Sequence, residues 1–346
     1  MSYDEAAKIH SAFEAAGSKT RPFALAAAFA RGQDAPEISV SGPINRRSAE
    51  PVGLNAKWHI GSISKSFTSA LVMQCVERGQ LDLDAAVGDV LGPYARELHR
   101  DWANATLRQL LSHSAGLAGG VPISKLRAPN AASAAEARIS VLRKLWTAPT
   151  PGRPGKFKYS NFGYMFAGVV LEQAMGKAWE DLVFESLTRP LGLGSAGLYA
   201  PTSDGDPWGH HGYVFSKRPV SPDHPKSDLP WAVGPAGLLH MSLADLIKWG
   251  QINLSTAKGG QFANFLSPES CRAMQSPVAD SYGLGWIAEP ARRGNPAIVW
   301  HNGSNLLWTV ILMMVPEQNL TLAVATNRFA VFRINALARK LLAALM

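Results

Sequence analysis

The chain has 346 residues, of which 47% are hydrophobic, so it can bury a substantial core in one large domain or two. Its formal net charge is +8, but the basic residues are scattered, with no Lys/Arg run and no helix-turn-helix or zinc-finger spacing. This pattern argues against a nucleic-acid-binding protein, and two cysteines are too few for a disulfide framework.

The N-terminal segment has the pattern of an amphipathic helix with early acidic residues. It lacks the basic start and the uninterrupted apolar run of a signal peptide. No segment approaches the ~18 apolar residues of a membrane-spanning helix, so no span is predicted. We therefore expect a cytoplasmic protein, or a periplasmic one if an export signal has been removed.

The first half of the chain predicts a strand pair followed mainly by helices. Phe23–Arg31 and Glu37–Val40 are predicted to pair as strands. The stretch Trp58–Gly79 predicts a buried helix, because its apolar residues cover more than one face. Further helices are predicted from Thr106 to about Gly116, Ser133 to about Trp146, Phe162 to Gly176, Ala178 to Leu187, and Ser242 to about Asn253, with loops between Gly192 and Gly234.

Towards the C-terminus the hydrophobic period changes to that of strands. The predicted strands are Tyr282–Ala288, Ala297–Trp300, Leu307–Val315 and Leu320–Thr326, followed by a helix over Ala330–Leu345. Strands at both ends and helices between them predict an α+β fold, in which an antiparallel sheet with flanking helices carries an inserted helical domain. We assign residues 1–85 and 275–346 to a discontinuous α/β sheet domain and 86–274 to the helical domain, with the active site in the cleft between them.

Ser62 and Lys65 are the residues of the predicted buried helix that indicate catalysis. They are three positions apart, so the hydroxyl and the amine can meet on one helix face. A poorly solvated lysine loses its proton readily, and a neutral amine beside a serine activates that serine as a nucleophile. Gly61 permits a sharp turn just ahead of the serine. The same spacing recurs at Ser255 and Lys258, but there we predict a polar loop with a solvated lysine.

Two further motifs follow this Ser-x-x-Lys pair. Tyr159 and Asn161 form Tyr-x-Asn at a predicted loop-to-helix junction, and His301-Asn302-Gly303 follows a predicted strand. The ordered set resembles the motifs of the penicillin-recognising serine hydrolases, which include class C β-lactamases, D-alanyl-D-alanine carboxypeptidases and family VIII carboxylesterases. LLSHSAGL at 110–117 and GPAGLLHMS at 234–242 are also similar to that family. The resemblance implies a β-lactamase/transpeptidase-like fold.

The resemblance also implies the catalytic residues. Ser62 is expected to attack a carbonyl carbon and form an acyl-enzyme. Lys65 and Tyr159 are expected to take the serine proton and return it to the leaving group. A tyrosine between cations has a lowered pKa, and we expect this for Tyr159 as a base at neutral pH.

The substrate-binding residues implied by the resemblance are Asn161, His301, Gly303 and Ser304. Asn161 would hold the lysine and a substrate oxygen, and the backbone N–H groups of Ser62 and Ser304 would form an oxyanion hole. Gly303 is expected to keep the strand open, because a side chain there would block the substrate.

One departure from the family pattern bears on the substrate. Class C β-lactamases carry Lys-Thr-Gly where this chain has His301-Asn302-Gly303, and that Lys and Thr attract the carboxylate of a β-lactam. We therefore predict a serine hydrolase of carboxylic esters or D-amino-acid peptides, with weak or no β-lactamase activity. The alternatives are a dedicated β-lactamase or D-alanyl-D-alanine carboxypeptidase, an acyltransferase, and a non-catalytic protein of this fold that binds peptidoglycan or a partner.

No metal and no cofactor are expected. Acidic and histidine residues between Asp204 and His224 show no regular ligand spacing, and a solvated loop is favoured. The predicted partners are small ester, amide or peptide substrates, without nucleic acid or a membrane span, and the oligomeric state stays open. Four aromatic residues could line the cleft or belong to the core, and core packing is favoured: Phe157, Trp231, Trp286 and Trp308.

Overall fold

The computed structural model describes residues 3–20, 22–119, 123–212, 218–260, 262, 265–292 and 294–346. Its strands are β1 (Leu25–Arg31), β2 (Glu37–Ser41), β3 (Lys57–His59), β4 (Gly197–Leu198), β5 (His210–His211), β6 (Arg218–Pro219), β7 (Leu239–Ser242), β8 (Ile287–Glu289), β9 (Ile298–Gly303), β10 (Thr309–Val315) and β11 (Leu320–Thr326). Its helices are α1 (Tyr3–Thr20), α2 (Ser64–Glu77), α3 (Arg100–Ala103), α4 (Leu107–Leu111), α5 (Ala134–Trp146), α6 (Asn161–Met175), α7 (Trp179–Val183), α8 (Gly234–Gly237), α9 (Leu243–Ala257), α10 (Pro268–Gln275) and α11 (Val331–Leu345).

A six-stranded antiparallel sheet brings the two ends of the chain together. Its strand order is β2-β1-β11-β10-β9-β8. β1 and β10 both pair with β11, so that Leu25 and Thr309 lie on either side of Thr326. Every residue of β10 and β11 is buried, because α1 and α11 cover one face of the sheet and α9 covers the other. The predicted antiparallel sheet with flanking helices is therefore present.

Helix α2 lies at the centre of the molecule, packed against α6 and α8. All of its residues from Ser64 to Cys75 are buried. Its polar side chains are paired with neighbouring elements: the Trp249 indole N–H donates to Ser66 Oγ, and that of Trp179 donates to Thr68 Oγ1. The buried helix predicted from the apolar pattern is confirmed from Ser64 onward.

Two predicted element boundaries are wrong. Trp58 and His59 lie in β3, where pairing with Met241 and His240 of β7 overrides the local helical pattern. The strand predicted over Tyr282–Ala288 is reduced to β8, because Gly285 has a positive φ of 83° and lies close to the backbone of α2. A Cβ at Gly285 would lie 2.9 Å from Cα of Ser66, so this segment bends around the helix instead of extending.

The second Ser-x-x-Lys sequence is also placed differently from its prediction. Ser255 lies in the last turn of α9, and Lys258 follows directly as the C-terminal cap of that helix. Lys258 is exposed, as predicted, and its Nζ donates to the Pro316 carbonyl. An exposed ammonium keeps its hydration, so this copy lacks the buried amine that activation of a serine requires.

Helix α9 packs on the sheet, although its sequence falls inside the predicted helical domain 86–274. The division of the chain into 1–85 with 275–346 and 86–274 stays a prediction. Among the described residues, no helix combines the length and the apolar character needed to cross a bilayer.

Candidate active site

Ser62 lies in a single 3-10 turn, Gly61–Ile63, which joins β3 to α2. Gly61 has a φ of +52°, a backbone conformation that favours glycine. The serine side chain is partly exposed, whereas Gly61 and Ile63 on either side are buried. The turn therefore presents one hydroxyl to solvent from an otherwise buried segment.

The Lys65 amine is fully buried and has three oxygen neighbours. Its Nζ lies 3.0 Å from Ser62 Oγ, 2.8 Å from Asn161 Oδ1 and 2.6 Å from the Ala236 carbonyl oxygen. No carboxylate of the described residues forms an ion pair with it. Burial without a countercharge disfavours the ammonium form and holds the pKa of Lys65 well below its ordinary 10.5.

A neutral amine has two hydrogens to donate and one lone pair to accept, which matches these three neighbours. The carbonyl oxygens of Asn161 and Ala236 can only accept, so they take the two amine hydrogens. The remaining lone pair then faces Ser62 Oγ at 3.0 Å, which is hydrogen-bond distance for a hydroxyl donor. Lys65 is therefore placed to accept the serine proton.

Tyr159 completes the group around Ser62 from the loop that precedes α6. Its hydroxyl hydrogen bonds with Ser62, and the Lys65 Nζ lies 5.0 Å from the centre of its ring. The expectation of a lowered tyrosine pKa is wrong, since burial raises the pKa of Tyr159 above its ordinary value. The physical reason is that the neighbouring lysine is itself driven towards its neutral form, so no cation stabilises a phenolate.

His113 holds the loop that carries Tyr159. Its carbonyl oxygen accepts from Lys158 N at 2.8 Å, and its Nδ1 accepts from Ser160 N at 3.1 Å. The imidazole packs on the tyrosine ring with 4.2 Å between ring centres. Burial, together with the neighbouring Lys65, holds the pKa of His113 well below 6.5. His113 therefore positions Tyr159 as a neutral ring.

The end of β9 lies against the nucleophile turn with room only for glycine. A Cβ added to Gly61 would lie 2.3 Å from Ser304 N, and one added to Gly303 would lie 1.8 Å from the Ile60 carbonyl oxygen and 2.7 Å from Ser62 N. This close approach places the backbone amides of Ser62 and Ser304 next to each other. A side chain at position 303 was expected to block the substrate, but in the structure it would clash with the protein backbone itself.

The buried carboxylate of Asp228 links the segment before Ser62 to the segment after Ser304. Asp228 Oδ1 lies 3.0 Å from Nε2 of His59 and accepts from Nδ2 of Asn305 at 3.2 Å. The other ring nitrogen of His59 accepts from Gly61 N, next to the nucleophile, at 3.1 Å. Asn305 follows Ser304, and its Oδ1 accepts from Leu307 N at 3.1 Å. Asp228 thus joins the chain before Ser62 to the chain after Ser304.

The structure revises the role predicted for His301. Its side chain is 1% exposed, its Nε2 is 2.9 Å from the Tyr282 hydroxyl, and its Nδ1 is 2.5 Å from the Asn302 carbonyl oxygen. Burial and the neighbouring Lys65 lower the pKa of His301 to about 3, so the ring is neutral. A buried ring with both nitrogens engaged orients Tyr282 and offers no free donor to a substrate.

The four candidate cleft aromatics divide into two kinds. Trp286 and Trp308 are fully buried and belong to the core. Trp231 is 49% exposed, and Phe157 is 37% exposed and packs near His113. Only Phe157 and Trp231 of this set can therefore present their rings to a ligand.

Comparison with known proteins agrees with the fold. Residues 16–345 match the sequence profile of the beta-lactamase family. Penicillin-binding protein 4 of Amycolatopsis lactamdurans is 27% identical over 88% of this chain and 81% of its own. The D-alanyl-D-alanine-carboxypeptidase/endopeptidase AmpH of Escherichia coli K12 is 25% identical over 80% of this chain and 72% of its own. The solved D-amino acid amidase of Ochrobactrum anthropi SV3 superposes with a TM-score of 0.78 at 19% identity, covering 99% of this chain and 98% of the amidase, which shows the shared fold.

An antiparallel sheet with helices on both faces and a serine beside a buried lysine defines a serine hydrolase. The chain belongs to the beta-lactamase family. The predicted resemblance, the α+β fold class and the prediction of an enzyme are confirmed by these matches.

Proposed function

We propose that Ser62 is the nucleophile of a two-step acyl transfer to water and that Lys65 is its base. The observation that carries this proposal is the set of three contacts around the buried Lys65 amine. Two acceptors orient the amine, and its lone pair is left for the hydroxyl. An ammonium in the same place would offer a proton where the reaction must remove one.

In the first step, Ser62 Oγ bonds to the substrate carbonyl carbon while its proton moves to Lys65 Nζ. The carbonyl oxygen takes up the negative charge between the N–H groups of Ser62 and Ser304. The bond to the leaving group then breaks, and the proton passes through the Tyr159 hydroxyl to the departing oxygen or nitrogen. A tyrosine with a raised pKa suits this relay, because it stays protonated between transfers.

In the second step, water replaces the leaving group. Lys65 takes a proton from the water as its oxygen bonds to the acyl carbon, and Ser62 Oγ leaves with that proton. The products are a carboxylic acid and free enzyme. Asn161 keeps the amine in place through both steps by accepting one of its hydrogens.

We further propose that the substrates are carboxylic esters or D-amino-acid peptides, and that the part of the substrate lying beside the end of β9 carries no charge. The supporting observation is that His301, at the position of the family's lysine, is buried and neutral with a pKa of about 3. Without a cation there, a substrate carboxylate gains no attraction from this strand. Hydrolysis of β-lactams, which carry such a carboxylate, is expected to be slow or absent.

The test compares Ser62→Ala with Ser255→Ala, which alters the copy of the same motif whose lysine is exposed. With p-nitrophenyl acetate or butyrate, we expect Ser62→Ala to abolish hydrolysis and Ser255→Ala to leave it unchanged. Hydrolysis that survives in Ser62→Ala would overturn the proposal. Absence of both hydrolysis and fluorophosphonate labelling in the unaltered protein would instead support a non-catalytic binding protein.

The substrate class is tested with short esters, D-alanyl-D-alanine peptides and nitrocefin on the same preparation. We expect the esters and blocked D-peptides to be turned over faster than nitrocefin. Faster turnover of peptides with a free terminal carboxylate would support a carboxypeptidase, the activity in the name of the Escherichia coli relative. Ester products formed with an added alcohol would support an acyltransferase. The cytoplasmic location and the absence of a nucleic-acid partner stay predictions.

A further inference from the structure

A cavity lies on the face of the sheet that α1 and α11 cover, separate from Ser62. Its volume is about 420 Å³, and it lies between the end of α1, the end of β11 and the start of α11. Among the described residues, three cations line it, Lys19, Arg328 and Arg333, and no acidic residue does. We call this cavity the α11 pocket.

Arg328 is the buried cation of the α11 pocket. Its side chain is 9% exposed, and its guanidinium carbon lies 4.7 Å from the centre of the Phe23 ring. Its Nε is buried and has no hydrogen-bond partner among the described residues. Leaving a buried charged donor unpaired is costly, so a guanidinium held in this way is suited to an acceptor from outside the chain.

The backbone beside Arg328 is fixed by one threonine. Thr309 Oγ1 donates to the Arg328 carbonyl oxygen at 2.9 Å and accepts from Ala330 N at 2.9 Å. This pair of bonds holds the segment between β11 and α11 in one conformation. The position of the guanidinium and the start of the helix are therefore set before any ligand binds.

The start of α11 adds a second attraction for negative charge. The helix has 15 residues, its N-cap Ala330 supplies no side-chain hydrogen bond, and its first turn contains no acidic residue. The first N–H groups of a helix have no partner within it, and the helix dipole favours an anion there. Ala330 and Arg333, from this end of α11, both line the pocket.

The charges around the α11 pocket are uncompensated. None of Lys19, Arg328 and Arg333 takes part in an ion pair with another described residue. Burial lowers the pKa of Arg328, and repulsion by the like charge of the nearby Arg333 lowers it further. An oxyanion between them would remove this repulsion and accept from both.

We infer that the α11 pocket binds a phosphate group, held by Arg328, Arg333, Lys19 and the N–H groups at the start of α11. A helix N-terminus with nearby guanidinium groups matches the several acceptor oxygens of a tetrahedral phosphate. The phosphate can be free in solution or belong to a lipid headgroup, since Phe332 in the first turn of α11 is 89% exposed. This inference is independent of the reaction at Ser62.

The first experiment titrates the full chain with inorganic phosphate by calorimetry, and follows the unfolding midpoint at matched ionic strength. We expect saturable binding and a rise of the midpoint with phosphate but not with sodium chloride. Arg328→Met keeps the packing on Phe23 and removes the donors, and it should weaken phosphate binding at least about tenfold. Lys340→Met removes one charge from the same helix away from the pocket, and should bind like the unaltered protein.

A second variant covers the case in which Arg328→Met does not fold. Arg333→Gln alters an exposed side chain and should also weaken phosphate binding while the fold is kept. Equal binding by both Arg333→Gln and Lys340→Met, or an equal response to sodium chloride, would overturn the inference.

The lipid source is tested by co-sedimentation with phosphatidylcholine vesicles, with and without phosphatidylglycerol. Binding that needs phosphatidylglycerol and is lost in Arg333→Gln would assign the phosphate to a headgroup. Calorimetric binding of phosphate without co-sedimentation would assign it to a soluble ligand. Failure of both phosphate and vesicles to bind would reject the site.

Discussion

The most informative single substitution is Gly303→Ala, at the contact between β9 and the nucleophile turn. The added Cβ would lie 1.8 Å from the Ile60 carbonyl oxygen and 2.7 Å from Ser62 N. Both atoms belong to the backbone and cannot rotate away as a side chain would. The turn is itself fixed, because Ile60 N donates to the Leu239 carbonyl oxygen at 2.9 Å.

Relief of this clash requires the end of β9 to move away from Ser62. A separation of 3.0 Å, below which Cβ atoms are essentially never found, needs a shift of at least about 1.2 Å. Such a shift removes the Ser304 amide from its place beside the Ser62 amide. Loss of one oxyanion donor costs about 2.7–4 kcal/mol of transition-state stabilisation, or ~10²–10³ in kcat. Crowding of the backbone should also lower the free energy of unfolding by about 1–3 kcal/mol.

The assay is kcat/KM for p-nitrophenyl butyrate, with folding followed by thermal unfolding and active sites counted by fluorophosphonate labelling. Gly53→Ala is the matched control, because a Cβ there meets no atom within 4 Å. We expect a loss of activity per folded molecule in Gly303→Ala alone. A folded Gly303→Ala protein with the kcat/KM of the unaltered enzyme would refute the reasoning about the oxyanion hole.

Three further predictions follow from the contacts around Ser62. Tyr159→Phe removes the proton relay and should lower kcat by about 10²–10⁴-fold with little change in KM, and an unchanged kcat would exclude the relay. Because the reaction needs the neutral Lys65 amine, kcat/KM should fall as the pH falls through the pKa of Lys65, with a midpoint well below 10.5. His301 has a pKa of about 3 and therefore stays neutral over this pH range. A pH–rate profile whose only midpoint is near 10.5 would contradict a desolvated lysine. Asp228→Asn removes the charge shared by His59 and Asn305, and should lower kcat about 10- to 100-fold while KM and the unfolding midpoint change little; equal losses in kcat and stability would indicate a structural role alone.

The sequence predicted those parts of the fold that have a strong local pattern. The strand over Leu320–Thr326 and the helix that ends at Leu345 have the predicted bounds within one residue, because continuous burial and amphipathic spacing mark them. The Ser62–Lys65 contact was also predictable, since a spacing of three residues brings two side chains together in a helical turn, and the 3-10 turn at Ser62 continues directly into α2. Partners for Trp58 and His59 in β7 lie about 180 residues away, so no local pattern could place them in a strand.

The long-range contacts of the site could not be predicted for the same reason. Asp228 contacts His59 and Asn305, and each of these contacts joins segments that are distant in the sequence. The pKa expected for Tyr159 had the wrong sign, because a list of nearby cations says nothing about desolvation of Lys65. Burial is a property of the packed molecule and decides the charge of both residues.

The most direct test of the account is mass spectrometry of the protein quenched during turnover of a slow p-nitrophenyl ester. We predict that the acyl group is bound covalently to the peptide that carries Ser62, and that Lys65→Met accumulates none at the same time point. An adduct on a different residue, or steady turnover with acylation unaffected by Lys65→Met, would contradict the claim that this buried amine activates Ser62.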